Sequence, residues 1–334
     1  MWDYTDGTFL RGQLSGIAPR LHDTLRSIAV RHAGMTKDHQ SKPASRTVEK
    51  GRAIVLVSWD GRVRPLSSIQ QDAVPDFDYV LFDYSGSPVS RLATHYAPLA
   101  IISERTECKG EIYRHFAAWL KARRSTADYV ALIDDDVEMG VSDINAALQL
   151  GRHWNLDVFS PTLDPRSQWS HEFMVTRAGN EPRTVEWVEV MMPFYRTELL
   201  LEIGRHVGGN ISSWGIDMYL APTIQWLRGK TRTALLDSIV ALHNRPITSG
   251  NKRFRNGMNG EEEMRLMKWK ACRLARRHAG SRQNPGTALP STLSDGLQSD
   301  LGTVLREAVR RRARGLRSTA RLLVDLIPET TTRA

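Results

Sequence analysis

A chain of 334 residues with 41% hydrophobic and 25% charged side chains is long enough to bury a sizeable core, and it holds no apolar run near the ~18 residues of a membrane span. Its net charge of +9 is segregated: residues 1 to 250 hold 28 basic and 29 acidic side chains, residues 251 to 334 hold 18 and 8, so the excess belongs to the tail and says little about the body. The acidic start Met1-Trp-Asp-Tyr-Thr-Asp6 lacks the basic and then apolar pattern of an export signal, and Cys108 and Cys272 stand at unrelated spacing, so export, a disulfide framework and a thiolate metal site are not expected and the protein is read as cytoplasmic.

In chain order, residues 1–48 read as a polar extension with one short amphipathic stretch, Leu21 to Val30, and the compact domain is expected over 49–275. Arg52–Trp59 reads as a buried strand and Tyr79–Phe82 as a second, with Asp60 and Asp83 at their carboxyl ends. Lys109–Arg124 has Ile112, Phe116 and Leu120 on one helical face and leads into the apolar run Tyr129–Ile133, after which Asp134-Asp135-Asp136 follows at once. A helix over Val141–His153 and a short strand over Asp157–Phe159 continue a β-α-β alternation, which predicts an α/β protein with a mostly parallel, Rossmann-like central sheet flanked by helices. Further on, Val185–Met192 reads as a strand, Thr197–His206 as a helix, Gly208-Gly209 as a turn, Ile216–Leu227 as a helix and Leu235–Leu242 as the last strand. Residues 276–300 read as a linker.

The tail, residues 301–334, spaces Leu301, Leu305, Val309, Leu316 and Leu323 between arginines such as Arg306, Arg310, Arg314 and Arg321. This basic amphipathic helix suits an anionic membrane surface, although packing on protein gives the same pattern. Nucleic acid is disfavoured, because the basic residues lack interleaved aromatic side chains for stacking.

Three adjacent carboxylates directly after a buried strand need compensation, and a divalent cation is the natural partner. Ligands of open α/β sheets bind at the carboxyl ends of strands, and hard Mn²⁺ or Mg²⁺ ions prefer carboxylate oxygen while keeping positions open for phosphates. Taken alone, the triplet is read equally well as a solvated acidic turn capping the helix near Val141. Three later features add weight to the ligand reading. Gly208-Gly-Asn-Ile-Ser-Ser-Trp-Gly-Ile-Asp217 joins flexible glycines to an acid at a helix start, His243 follows the last strand, and Arg245 lies two residues beyond it.

In this order, an aspartate-rich strand end, a Gly-rich loop, a Trp-Gly-x-Asp motif and a late histidine resemble the core of nucleotide-sugar glycosyltransferases of the GT-A fold. More narrowly, residues 52 to 250 resemble a plant and bacterial family without a settled activity, whose plant members bear the label "lysine ketoglutarate reductase trans-splicing related". The shared segments are Val130–Val137, Ser160–Pro165, Trp169–His171, Val188–Pro193, Ser213–Asp217 and Leu242–Pro246. No Gly-x-Gly-x-x-Gly fingerprint supports a reductase.

The GT-A resemblance implies a GT-A-like domain that moves a hexosyl or related group from a nucleotide-diphosphate sugar to a hydroxyl of a glycan or lipid-linked acceptor in cell-surface glycan assembly; the basic C-terminal helix would hold it peripherally on the inner membrane face. It implies Asp134, Asp136 and His243 as ligands of Mn²⁺ or Mg²⁺, and Asp217 as the general base. Asp60, Asp83, Asp134, Lys109 and Arg245 would contact the nucleotide or its phosphates, and His171, Glu189, Trp214 and Gly215 would line the acceptor side. The rival readings are a metal-dependent phosphoesterase or nucleotidyltransferase using the same carboxylates, and a non-catalytic nucleotide- or glycan-binding protein of the same fold.

Overall fold

The computed structural model describes residues 52–61, 65–86, 98–247 and 250–279; the expectations for residues 1–48, for 280–300 of the linker and for the basic segment 301–334 lie outside these. In chain order the strands are β1 (Ala53–Trp59), β2 (Ile69–Gln70), β3 (Phe77–Asp83), β4 (Ala100–Ser103), β5 (Tyr129–Ile133), β6 (Val137–Gly140), β7 (Val158–Leu163), β8 (Arg183–Thr184), β9 (Phe194–Arg196) and β10 (Thr233–His243). The helices are α1 (Lys109–Ala122), α2 (Val141–His153), α3 (Thr197–His206), α4 (Ala221–Leu227) and α5 (Gly260–Ala279), with a π-turn at Ile216–Leu220 that runs into α4.

The architecture is the expected α/β sheet with helices packed on it. Every residue of β1 and β5 is buried, as continuous apolar runs are when a parallel sheet is covered on both faces. β1 runs parallel to β3 on one side and to β5 on the other, and β4 extends the parallel set beyond β3. Beyond β5 the sheet becomes mixed, because the short β9 lies antiparallel between β5 and β7, and β10 then runs parallel to β7. The end of β10 turns to pair antiparallel with β6, which is parallel to β2.

Helix α1 buries Ile112, Tyr113, Phe116, Ala117 and Leu120, the face expected from its spacing. It packs on α3, where Gly204 lies so close to Ala117 that a Cβ there has no room. Helix α2 brings Gly151 onto the ring of Phe159 in the same way. Phe159 stacks on Phe194 at 5.0 Å and meets Tyr129 edge-on at 5.3 Å, which joins β7, β9 and β5 into one core.

Three sequence expectations change. Strand β7, expected over Asp157–Phe159, runs on through Pro161 to Leu163. The missing N–H is tolerated because β9 pairs only as far as Phe159, and β10 shifts register opposite Pro161 and Thr162. The run 185–192 is not a strand: β8 and β9 stand at either side, and the chain between them gives its carbonyls to other partners. Leu132 donates to Pro193 O and Asp134 to Met191 O, so this irregular segment runs along the end of β5. Helix α5, for which no element was expected, extends to Ala279 and takes in the first four residues of the expected linker. It begins with a reciprocal cap: Asn259 Oδ1 accepts the N–H of Glu262 at 2.9 Å, and Glu262 Oε2 accepts that of Asn259 at 2.9 Å. Among the described residues no helix is long and apolar enough to cross a membrane.

Candidate active site

The acidic triplet forms the turn between β5 and β6, closed by Val137 N–H on Asp134 O at 3.2 Å. It therefore lies at the carboxyl end of a central parallel strand and does not cap α2. Asp143 Oδ2 accepts the N–H of Gly140 at the start of that helix, while Asp72 accepts both the N–H and the hydroxyl of Ser142. What compensates the three carboxylates differs from one to the next.

Asp134 is held by Lys109. The Lys109 ammonium lies 2.8 Å from Asp134 Oδ1 and donates to Met191 O at 2.8 Å and Leu132 O at 3.2 Å, which uses its three N–H groups. Lys109 was expected to meet a phosphate and Asp134 a metal; in this structure each is the other's partner, with Lys109 buried beneath the strand end. Burial lifts the Asp134 carboxyl to about 6, against the pull of Lys109 and with the help of Asp136 and Asp135.

Asp135 faces the other way, accepting the Tyr84 hydroxyl at 2.8 Å while its N–H donates to Ser58 Oγ at 3.1 Å. Burial and the adjoining Asp135 raise the Tyr84 phenol well above its ordinary value, and Asp60 adds to this, which puts Asp60 beside the same hydroxyl. Asp83, expected to touch base or ribose, is fully buried. Its oxygens accept Ser85 N–H at 2.9 Å, Ser85 Oγ at 2.6 Å and Ser103 Oγ at 2.8 Å, so it ties the end of β3 to β4.

Asp136 meets the end of β10. His243 pairs with Val137 across the antiparallel ladder and Asn244 N–H reaches Asp136 O at 3.2 Å, so the imidazole stands over the carboxylate, with Nε2 3.6 Å from Asp136 Oδ2. Arg245 lies 3.3 Å from the same oxygen and 3.3 Å from Asp135 Oδ1, with its side chain 56% exposed. Burial alone would lift the Asp136 carboxyl, but His243 and then Arg245 hold it below its ordinary value. His243 is raised in turn: burial works against its charge, and Asp136 and the Gln168 carbonyl outweigh burial.

Two details test these residues against a divalent ion. Asp136 Oδ1 is buried and has no hydrogen-bond partner among the described residues. His243 Nδ1 is bonded to Gln168 O at 2.6 Å, which assigns an N–H to Nδ1 and leaves Nε2 facing Asp136; Nε2 carries a proton while it pairs with the carboxylate and would offer its lone pair only to an ion that displaces that proton. Among the described residues no group of three or more His, Cys, Asp or Glu side chains could hold a metal. The protein thus offers one carboxylate and one imidazole, a set that fits a hard ion whose other positions are filled by phosphate and water.

The Gly-rich loop carries Asp217 to the π-turn. Gly215 has φ +80°, and a Cβ there would lie 3.0 Å from Met264 Cα of α5, so the residue serves the backbone path and helix packing. Trp214 packs with its indole against Gly250 and Gly260. Both had been expected on the acceptor side. The loop is pinned from below by a residue that sequence reasoning missed: Glu263, fully buried on α5, accepts Ile211 N–H at 2.8 Å, Ser212 N–H at 2.6 Å and Asn256 Nδ2 at 2.6 Å. The capping pattern Asn259-x-x-Glu262 was the available signal for its helix.

Asp217 itself accepts Met218 N–H at 2.8 Å. Burial lifts its carboxyl to about 6, although backbone N–H groups of Met218, Val190 and Gly215 draw it back. Its contact with Val190 sets it beside Glu189, whose carboxyl is pushed to about 7 by burial and by the Asp217 charge. Glu189 Oε2 is buried with no hydrogen-bond partner among the described residues, and the nearby Ser170 side chain tempers the rise of the carboxyl. His171 belongs to an aromatic group, 4.8 Å from the Trp187 ring, and burial lowers its pKa.

No protein-family model matches the chain, and no curated protein matches it either. Solved structures similar to it include those of S. aureus TarS. The crystal structure of S. aureus TarS 1-349 aligns at 12% identity and a TM-score of 0.44, over 66% of this chain and 65% of that one. The same fragment in complex with UDP-GlcNAc aligns at 10% identity and a TM-score of 0.45, over 80% and 81%. Its complex with UDP aligns at 12% and 0.39, over 82% and 90%. The chain spans 44% of the longer TarS crystal structure.

The fold places His243 and Arg245 at Asp136 and sets Asp217 beside Glu189, whereas Asp134, expected in the same metal set as Asp136 and His243, is paired with Lys109. Tyr84, Ser58, Gln168 and Ser170 were not singled out, because their roles depend on loops that meet only in three dimensions.

Proposed function

We propose that this chain is a glycosyltransferase that moves a hexosyl or related group from a nucleotide-diphosphate sugar to a hydroxyl acceptor. The observation that carries the reading is the unpaired Asp136 Oδ1 beside a His243 ring already oriented by Gln168, with a half-exposed Arg245 over both. Asp136 and His243 would hold Mn²⁺ or Mg²⁺, which when bound neutralises charge on a diphosphate leaving group. Arg245, free to swing outward, would clamp the same phosphates. Asp134 is left out of this set, because Lys109 already neutralises it.

Asp217 would act as general base. The acceptor oxygen forms its bond to the anomeric carbon as the bond from that carbon to the diphosphate oxygen breaks, and the hydroxyl proton passes to the Asp217 carboxylate. A carboxyl raised to about 6 is better matched to this task near neutral pH than an ordinary aspartate. The test is turnover of a panel of nucleotide sugars with and without Mn²⁺. Release of nucleoside diphosphate that requires the ion and disappears in Asp136→Asn and Asp217→Asn is expected; absence of turnover and of metal-dependent nucleotide binding in the wild type refutes the reading.

A cytoplasmic location at the inner membrane face, with a glycan or lipid-linked acceptor, rests on the basic, periodic sequence of residues 301–334. Its test is separate: removal of that segment should release the protein from anionic liposomes, and unchanged binding refutes it.

A further inference from the structure

The aspartates that follow β5 are met by two cations of different kinds. Lys109, with its side chain 8% exposed, uses all its N–H groups on Asp134 and two carbonyls. Arg245 serves Asp135 and Asp136 from outside: one guanidinium nitrogen, Nη1, lies 3.3 Å from Asp135 Oδ1 and 3.3 Å from Asp136 Oδ2, and the side chain is 56% exposed. The chain aims this head at the pair. Asn244, just before it, is fixed by its N–H on Asp136 O at 3.2 Å and by its side-chain amide on Glu138, and Pro246, just after it, disfavours the helical region for Arg245. Asp135 is set to receive it as well. The Tyr84 hydroxyl donates to Oδ2 at 2.8 Å and Ser58 Oγ accepts the backbone N–H, which leaves Oδ1 to the guanidinium.

The two cations therefore differ in how easily they move. A buried lysine with every donor engaged is costly to withdraw, whereas an exposed arginine held through one nitrogen at 3.3 Å loses little when it turns away. A diphosphate offers a guanidinium more than this pair does, since its planar N–H donors match phosphate oxygens two at a time. An ion and a guanidinium on the same Asp136 carboxylate are also like charges at close range, so each weakens the hold of the other. Asp135, which has no place among the ion's ligands, gains a task in this arrangement: it holds the arginine.

We propose that Arg245 is a displaceable counter-cation, which rests between Asp135 and Asp136 and moves to the diphosphate when a nucleotide arrives, so that Asp136 takes a divalent ion tightly only with or after the nucleotide. The proposal deepens the glycosyltransferase reading and rests on it for the diphosphate. One arginine then has two sets of partners used in turn. By linkage, the ion and the nucleotide each raise the affinity for the other by the same factor.

The experiment is a Mn²⁺ titration of the full chain, read as loss of the free-ion signal in electron paramagnetic resonance, with and without ADP, GDP or UDP and against nucleotide-only blanks. Without nucleotide, Arg245→Gln should bind Mn²⁺ about tenfold tighter than wild type, and Arg245→Gln/Asp136→Asn should lose that gain. With a nucleotide that binds, the wild type should tighten on Mn²⁺ by about tenfold or more, and Arg245→Gln by a smaller factor. A circular-dichroism melt accompanies each variant, and Arg245→Ala carries the test if Arg245→Gln unfolds. Equal or weaker Mn²⁺ binding by Arg245→Gln without nucleotide overturns the proposal, and wild-type binding of the ion with a nucleotide then leaves the metal reading standing. A gain that survives Asp136→Asn puts the ion elsewhere and overturns the proposal too. Tighter binding by Arg245→Gln without turnover of any nucleotide sugar overturns the transferase reading and leaves the counter-cation standing. No Mn²⁺ binding by either protein in any condition overturns both.

Discussion

Replacing Lys109 by Met removes the one cation that holds Asp134, and the cost can be worked out. The Lys109 side chain is 8% exposed and its ammonium lies 2.8 Å from Asp134 Oδ1. Deleting one partner of a buried pair commonly costs about 3–5 kcal/mol, but a carboxylate can limit the loss by taking up a proton. Asp134 has a folded pKa of about 6, against about 3.9 unfolded, so in the wild type its burial already costs about 3 kcal/mol at neutral pH. With Lys109 gone the pKa rises further. At about pH 7.5 the neutral route costs at most roughly 5 kcal/mol, so the extra loss assignable to Asp134 is about 2 kcal/mol. Loss of a donor to two carbonyls adds about 1 kcal/mol each. The sign follows: a group whose folded pKa is raised contributes stability at low pH that is lost as pH rises. Near pH 5 both proteins carry Asp134 protonated, and the Asp134 component disappears. Urea unfolding should therefore show Lys109→Met destabilised by about 4 kcal/mol near pH 7.5 and about 2 kcal/mol near pH 5, with Lys109→Met/Asp134→Asn recovering the difference. Equal destabilisation at both pH values, or no recovery in the double variant, refutes the pairing as the reason Lys109 is buried.

Asp136→Asn should abolish any rise in melting temperature produced by Mn²⁺ with a nucleoside diphosphate, and persistence of that rise places the ion elsewhere. Activity should fall with acid as Asp217 takes up its proton at about 6, so the kcat/KM profile should have its acid limb near that value; a limb near 4 removes Asp217 from the role of base. Glu189, at about 7 when folded and about 4.3 when unfolded, contributes stability that is present in acid and lost as pH rises toward about 7. Relative to Glu189→Gln, the wild type should lose about 3 kcal/mol between about pH 4 and pH 8, and a flat difference contradicts its burial as a carboxyl. Glu263→Ala leaves two loop N–H groups without an acceptor and should cost about 2–4 kcal/mol, read as a lower urea midpoint; a loss under about 1 kcal/mol means that the loop does not depend on it.

The central strands were legible because burial on both faces leaves a continuous apolar run, as in Ala53–Trp59 and Tyr129–Ile133. The helices over Val141–His153 and Thr197–His206 were legible from their period. The 185–192 segment misled because its Val and Trp content suits a strand, while its backbone partners are a lysine and a strand edge from elsewhere in the chain. Lys109 and Asp83 misled for a related reason. Each stands where a ligand-binding residue would stand, and only the direction of the side chain shows that it is turned inward. Helix α5 was hidden by its run of acids, although Leu266, Met267, Ala271 and Ala275 give it a buried face.

The pairing of β6 with the last two residues of β10 has a consequence for how the protein is made. Asp136 and His243 are adjacent only because Leu242 and His243 align with Glu138 and Val137. A slip of one residue there would turn the imidazole to the opposite face and leave the carboxylate alone. Closing a loop of more than a hundred residues for so short a ladder is slow and is rewarded only after the rest of the sheet has formed. A growing chain would thus have a folded β1–β3–β5 centre well before it had a site. Translation must pass His243 before Asp136 meets its imidazole partner.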